Sequence, residues 1–302
     1  MIRFRLGTRG SPLARTQAAM VRDALCAAHG WHADEVETVI IRTTGDRIQD
    51  RALAEIGGKA LWTKELDRAI EAREIDAAVH SMKDVETIRP AMIAIAAMLP
   101  RADVRDRLIG ADSVAALRQR AIVGTSSPRR RAQLLRLRPD LTVVLFRGNV
   151  DTRLAKLAAG EADATLLAAA GLDRLGREVG HAIPTDLMLP APAQGAVGIE
   201  VRADDESAAM IVGAIDYPAT SACVLTERAL LAALGADCHS PVAALASLAG
   251  EMLTLRAELL SEDGTEQVEG HAEGTDGAEI GARLAQDLLT RAPAAIRKLF
   301  CP

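Results

Sequence analysis

Gly7-Thr8-Arg9-Gly10-Ser11-Pro12-Leu13-Ala14-Arg15-Thr16-Gln17 and Gly124-Thr125-Ser126-Ser127-Pro128-Arg129-Arg130-Arg131-Ala132-Gln133 carry one shared pattern, Gly-Thr followed by Ser-Pro-x-x-Arg-x-Gln. Each copy follows a strand-like run, Ile2–Leu6 in one case and Ala121–Val123 in the other. Serine before proline marks a helix start, because the hydroxyl caps open N–H groups and proline sits where no backbone donor is missed. The echo continues in Glu74-Ile75-Asp76-Ala77 and Glu161-Ala162-Asp163-Ala164, each opening an apolar strand. A strand, loop and helix that occur twice predict two similar α/β lobes with a cleft between them.

Working outward, strand-like runs at Glu37–Arg42, Ala77–His80, Ala91–Met98, Thr142–Leu145 and Ala164–Ala168 alternate with helical periods, the rhythm of mainly parallel sheets. Beyond about residue 218 the character changes. Ser221–Leu234 reads as a helix, Leu253–Leu259 alternates as a half-exposed strand, and Asp263-Gly264 supplies a turn. A second strand near Gln267–His271 and a helix near Ala278–Leu289 complete a small α+β domain with an antiparallel sheet. The Leu284, Leu288 and Leu289 seam of that helix reads as core packing.

The chain has 302 residues, 49% hydrophobic and 25% charged, enough for two or three domains with real cores. A formal charge of -5 and only 2% aromatic residues argue against a general nucleic-acid binder, which needs a basic surface and stacking platforms. No run of about 18 apolar residues suggests a membrane span, and Met1–Leu6 alternates like a strand rather than a signal peptide, so a cytoplasmic protein is expected. The four cysteines, Cys26, Cys223, Cys238 and Cys301, are scattered without a C-x-x-C pair. Reduced thiols and no metal site are therefore expected.

Helix starts gather open N–H groups, and Arg9, Arg129 and Arg130 stand beside the two Ser-Pro starts as donors able to grip carboxylates. Read alone, each start is equally a plain cap and each arginine a solvated side chain. Two copies, with Arg147, Arg153 and Arg174 as further cations at strand-loop positions of the second lobe, point to a small polyanion. Lys83 and Asp84 follow the strand that ends at His80, at the end of an α/β sheet where ligands gather. They form an acid and base candidate or, blandly, an exposed ion pair. His80 reads as structural. Cys238, in Gly235-Ala236-Asp237-Cys238-His239-Ser240-Pro241, is the most accessible-looking internal thiol and a candidate nucleophile.

With His80-Ser81-Met82-Lys83-Asp84-Val85, Arg147-Gly148-Asn149-Val150, Leu189–Ala196 and the Cys238 loop in register, the chain resembles the porphobilinogen deaminases (hydroxymethylbilane synthases) nearly end to end. The resemblance implies two periplasmic-binding-protein-like lobes and a third domain presenting the cysteine. It also implies re-entry of the chain into the first lobe, giving domains at 1–99 with 198–217, at 100–197 and at 218–302. The implied reaction joins four porphobilinogen molecules head to tail, losing ammonia, on a dipyrromethane primer held as a thioether. Hydrolysis then releases hydroxymethylbilane for haem and related tetrapyrroles. Cys238 would carry the primer. Asp84 would stabilise the cation formed on loss of ammonia and shuttle protons, with Lys83 beside it. Arg9, Ser11, Gln17, Ser81, Thr125, Ser126, Ser127, Arg129, Arg130, Arg147, Arg153, Arg174 and Gln194 would hold cofactor and growing chain, with Arg131, the echo of Arg15, facing solvent. The segment Gly45–Ala60 resembles the family's mobile loop, bringing Lys59 to the substrate. A monomer that hands product to the next pathway enzyme is expected.

Three positions depart from the family pattern: Glu86 in place of proline, Pro128 in place of leucine and Ala193 in place of glycine. None removes a proposed catalytic group. The rival reading is a two-lobed binding protein for a small polycarboxylate or other anion, since fold alone does not decide function.

Overall fold

The computed structural model describes residues 1–42 and 63–300. Lys59 and the segment Gly45–Ala60 lie outside these, as does Cys301. Strands β1 (Phe4–Arg9), β2 (Val36–Ile41), β3 (Ala77–Ser81) and β4 (Ile93–Met98) alternate with helices α1 (Pro12–His29) and α2 (Lys64–Glu71). Next come β5 (Asp106–Ile109), β6 (Ile122–Gly124), α3 (Pro128–Leu137), β7 (Thr142–Val144), α4 (Val150–Ala158), β8 (Ala164–Ala168), α5 (Ala169–Arg174) and β9 (His181–Ala182). The chain continues through β10 (Val197–Arg202), α6 (Glu206–Gly213) and α7 (Pro218–Leu234).

The first sheet has the order β2-β1-β3-β10-β4 and the second the order β7-β6-β8-β5-β9. In the first, β1 runs parallel to β2 and β3 while β10 is antiparallel to β3 and β4. In the second, β6 runs parallel to β7 and β8 while β5 is antiparallel to β8 and β9. The repeated motif thus belongs to a repeated topology, with β1 and α1 matching β6 and α3. Both sheets include an antiparallel strand where mainly parallel pairing was expected. The one in the second sheet, Asp106-Arg107-Leu108-Ile109, is short and half charged, so periodicity hides it.

Two compact units result. One takes in the chain up to Ala102 with Gly195–Ser221, and the other takes in Asp103–Gln194 with the chain from Ala222 onward. In the first, α1 buries Ala14, Gln17, Ala18, Val21 and Leu25, the spacing of one helical stripe. Phe4, Leu6, Val79, Val197 and Ile199 meet Val21 and Leu25 in one core cluster. Each such buried aliphatic side chain contributes roughly 1.5–3 kcal/mol.

The second unit also holds a three-stranded antiparallel sheet of β11 (Val242–Ala249), β12 (Met252–Leu260) and β13 (Gln267–Gly274), in that order. Helices α8 (Gly277–Arg291) and α9 (Ala294–Arg297) follow. The run Val-Ala-Ala-Leu-Ala-Ser-Leu-Ala of β11 favours helix by composition, and eight register partners along β12 make it a strand instead. Leu284 and Leu288 are buried and Leu289 packs against the same cluster, so the α8 seam is core packing.

Candidate functional site

In the first unit, Ser11 caps α1 by accepting from the Ala14 N–H at 3.3 Å, with Pro12 as the first helical residue. The echoed Gln17 is buried and donates Nε2 to Ser81 Oγ at 2.8 Å, tying α1 to the end of β3. Arg9, Ser11, Gln17, Ser81 and Asp84 line one pocket with Val79 and Val85. Lys83 and Asp84 stand half-buried on the tight turn Met82–Asp84, directly after β3. Among the described residues the Asp84 carboxylate makes no hydrogen bond or ion pair, so it faces the pocket available to a ligand.

In the second unit, Ser127 caps α3 by accepting from the Arg130 N–H at 3.4 Å, and Pro128, one of the departures, opens the helix as its type suits. Thr125 is buried and its Oγ1 accepts from Ser127 N–H at 3.2 Å. Arg129 and Arg130 correct an expectation. Far from being open forks, both are buried, with Nη2 of each on one oxygen of Asp106, at 2.8 and 2.7 Å. Gln194, wholly buried, donates to the same carboxylate at 2.8 Å. Burial alone would raise the Asp106 pKa, but the two guanidinium groups outweigh it and hold the carboxyl far below the usual range. Glu258, buried near Arg129 and bonded to Gln133, adds a second carboxylate, so the two guanidinium groups are largely balanced inside this unit.

Arg147 differs from both. It follows β7, is 8% exposed, and its Nη1 is buried with no hydrogen-bond partner; among the described residues no carboxylate pairs with it. Its neighbour Gly148 has φ 111°, and a Cβ there would lie 2.6 Å from Thr152, so glycine is required for the turn into α4. Arg153 sits within α4, reaching Ser126 Oγ at 3.2 Å and Gly148 O at 3.0 Å. Arg174 closes α5, where burial lowers its pKa. Both stand on helices rather than in the expected strand-loop positions. Arg131 is exposed, as is Arg15, so in both copies the buried glutamine and not the arginine is the inward residue of the motif.

Cys238 is exposed on the turn between α7 and β11. The turn is held by Asp237, whose Oδ1 accepts from His239 N–H at 2.8 Å, and by Ser240, whose Oγ accepts from Asp237 N–H at 3.2 Å. Cys26 is half-buried in α1 and Cys223 buried in α7. Ala193, another departure, sits at φ 61°, a left-handed conformation for which its N–H bond to the buried Glu227 provides the hold.

Sequence reasoning missed Asp106, the shared counter-ion, and Glu200 on β10 with its partner Arg89. Glu200 is fully buried. Burial works to raise its pKa, but His80 and Arg89 win and push it down to about 2. His80, with Nε2 3.1 Å from Glu200, is structural as expected. A depressed carboxyl stabilises the fold above its unfolded pKa and loses that contribution as pH falls through the folded one. The thermal midpoint should therefore hold down to a pH of about 4.5 and drop steadily towards 2, with Glu200 and Asp106 responsible. A melting curve unchanged at pH 2.5 would refute this. Asp67 moves the other way, raised chiefly by burial, and softens the decline.

Fold and side chains together define a class: an α/β protein with two five-stranded mixed sheets, a Ser-Pro-capped helix start beside each, and a third, antiparallel sheet preceded by a turn with an exposed thiol. The family model for the porphobilinogen deaminase dipyromethane cofactor binding domain matches residues 4–210, and that for the porphobilinogen deaminase C-terminal domain matches residues 221–290. The chain belongs to the porphobilinogen deaminase family. Porphobilinogen deaminase of Sphingopyxis alaskensis is 58% identical over 98% of this chain and 96% of its own. That of Paracoccus denitrificans is 52% identical over 96% and 95%. Among solved structures, the BvgS VFT2 domain of Bordetella pertussis is more loosely similar, with TM-score 0.43 and 14% identity over 70% of this chain and 85% of that one. No single helix among the described residues is long and apolar enough to cross a membrane.

Proposed function

We propose that the chain joins four porphobilinogen molecules head to tail on a dipyrromethane primer thioether-linked to Cys238, releasing ammonia at each step and hydroxymethylbilane by final hydrolysis. The observation that carries the reading is Arg147, a buried guanidinium lacking a counter-anion among the described residues. An unpaired buried charge costs several kcal/mol, a cost that a ligand carboxylate removes. Each pyrrole of primer and substrate bears an acetate and a propionate, which fits this cation. When bound, the primer supplies the pyrrole carbon to which the first substrate is joined.

Arg147, with Arg153 and Arg174 on their helices, receives carboxylates in the second lobe. Thr125, Ser126 and Ser127 line the adjoining loop, and the capped start of α3, backed by Arg129, Arg130 and Gln194 on Asp106, favours anions there. In the first lobe, Arg9 and the Ser11-capped start of α1 take a carboxylate, and Gln17 holds Ser81 in place. Asp84, half-buried and unpaired among the described residues, accepts pyrrole N–H bonds and stabilises the positive charge that develops as ammonia leaves. Lys83 beside it attracts the substrate's carboxylates. Lys59, outside the described residues, is proposed to contribute from its loop.

The three-domain division into 1–99 with 198–217, 100–197 and 218–302 is kept as part of the proposal, supported by three separate sheets. A reducing cytoplasm suits an exposed thiol that must reach its primer as a thiol. A monomer suits a chain that gathers all these groups itself, and hand-over to the next enzyme suits a product with a reactive hydroxymethyl end.

Arg147→Leu tests the reading. Incubated with porphobilinogen, the wild type should release ammonia and gain a mass adduct. The variant should load primer or turn over at least about tenfold less, the effect of losing one charge-assisted contact. Loading and kinetics equal to wild type would remove Arg147 from the site. A wild type that releases no ammonia would overturn the function itself and favour the anion-binding alternative.

A further inference from the structure

Glu86 follows Asp84 by two residues and stands where the family pattern has proline. Its Oε2 accepts from Thr63 Oγ1 at 2.7 Å and from Arg89 Nη1 at 2.8 Å. Arg89 then donates Nε and Nη2 to the two oxygens of Glu200 at 2.8 and 2.9 Å, and Nη2 also reaches Asp67 on α2. Glu200 meets His80, two residues before Met82, from the other side. The turn that carries Asp84 is thus bracketed, His80 before it and Glu86 after it, with both ends tied to the same carboxylate on β10.

Between the brackets the backbone is pinned as well. Met82 N–H donates to Ala196 O at 3.1 Å, and the Met82 sulfur occupies the space that a Cβ on Gly198 would fill, 2.1 Å away. Charge balance does not explain Glu86. Arg89 already has Glu200 and Asp67, and a third carboxylate adds like-charge repulsion in a buried place. What Glu86 adds is direction: it is the member of the cluster that joins the chain immediately beyond Asp84 to Arg89.

We propose that Glu86 and Arg89 are positioning residues for Asp84, clamping the segment that bears it onto β10 and α2. The inference rests on Asp84 being the reacting carboxylate. Neither residue touches substrate; both fix the backbone from which Asp84 projects, and small misplacements of a reacting group cost rate steeply. Loss of Glu86 alone leaves Arg89 paired with Glu200 and Asp67, so the fold survives it.

Glu86→Ala, Glu86→Gln and Asp84→Asn, each with porphobilinogen in the full-length protein, test the clamp by intact mass, thermal midpoint, kcat and KM. Glu86→Ala should keep its adduct and lower kcat about tenfold with KM within about twofold, as expected for misplacement rather than lost binding. Glu86→Gln keeps an oxygen acceptor for Thr63 and Arg89 and should restore kcat to within about threefold of wild type. A folded Glu86→Ala with kcat within about twofold of wild type, or a deficit that Gln does not restore, overturns the proposal. Should Glu86→Ala fail to fold, Arg89→Lys, which keeps the charge and loses the fork, must lower kcat in the same way, and an unchanged kcat overturns it. Asp84→Asn separates the two failures. An inactive Asp84→Asn beside a normal Glu86→Ala removes the clamp alone, whereas an active Asp84→Asn removes Asp84 from its role.

Discussion

Asp84→Asn should lose turnover by at least about a hundredfold while keeping the fold and the covalent adduct, the scale seen when a group that stabilises charge or moves a proton is removed. The change alters charge and preserves shape. Because the Asp84 carboxylate makes no hydrogen bond or ion pair among the described residues, its neutralisation breaks no internal contact. The turn stays held through Ser81 on Gln17 and Met82 on Ala196. Thermal midpoint and intact mass should therefore match wild type, and single-turnover ammonia release should not. Near-normal release by a folded, primer-loaded variant would exclude Asp84 from the chemistry.

Cys238→Ser should abolish both the adduct and the product. The thiolate is the stronger nucleophile by a wide margin, and a serine hydroxyl, which stays protonated far above neutral pH, does not replace it. The side chain is exposed, so replacement by its oxygen analogue should leave stability within about 0.5 kcal/mol. Intact mass of denatured protein, before and after incubation with porphobilinogen, reads the result directly. An added mass of two linked pyrroles on wild type alone fixes the attachment point. The same added mass on Cys238→Ser would move it elsewhere, and Cys26 and Cys223, which are less exposed, would need a local opening to react.

Much of this architecture was legible because it is written in local rules. Ser11-Pro12 and Ser127-Pro128 start helices through contacts within one turn, so the motif itself announced α1 and α3. Apolar runs such as Ala77–Ser81 and Ala164–Ala168 are buried on both faces, and their composition says so. Strand β11 was not legible, since its alanines suit a helix and only pairing along β12 makes them a strand. The fate of Arg129 and Arg130 was hidden for a related reason. Nothing near them in the chain identifies Asp106, on a short charged strand, as the anion they share.

By itself the sequence determined the family, the repeated strand and helix, and the two helix starts, because motifs and periodicity report on neighbours along the chain. The tertiary structure alone decided which cations meet a carboxylate inside the protein and which do not among the described residues. Arg129 and Arg130 find Asp106 from α3, while Arg147 is buried with no carboxylate among the described residues. It also joined Glu86, Arg89, Glu200 and His80, residues from separate stretches of chain, into one cluster around the turn of Asp84. Charge pairing in a buried site depends on distance and desolvation in three dimensions, and these are set by packing between distant segments.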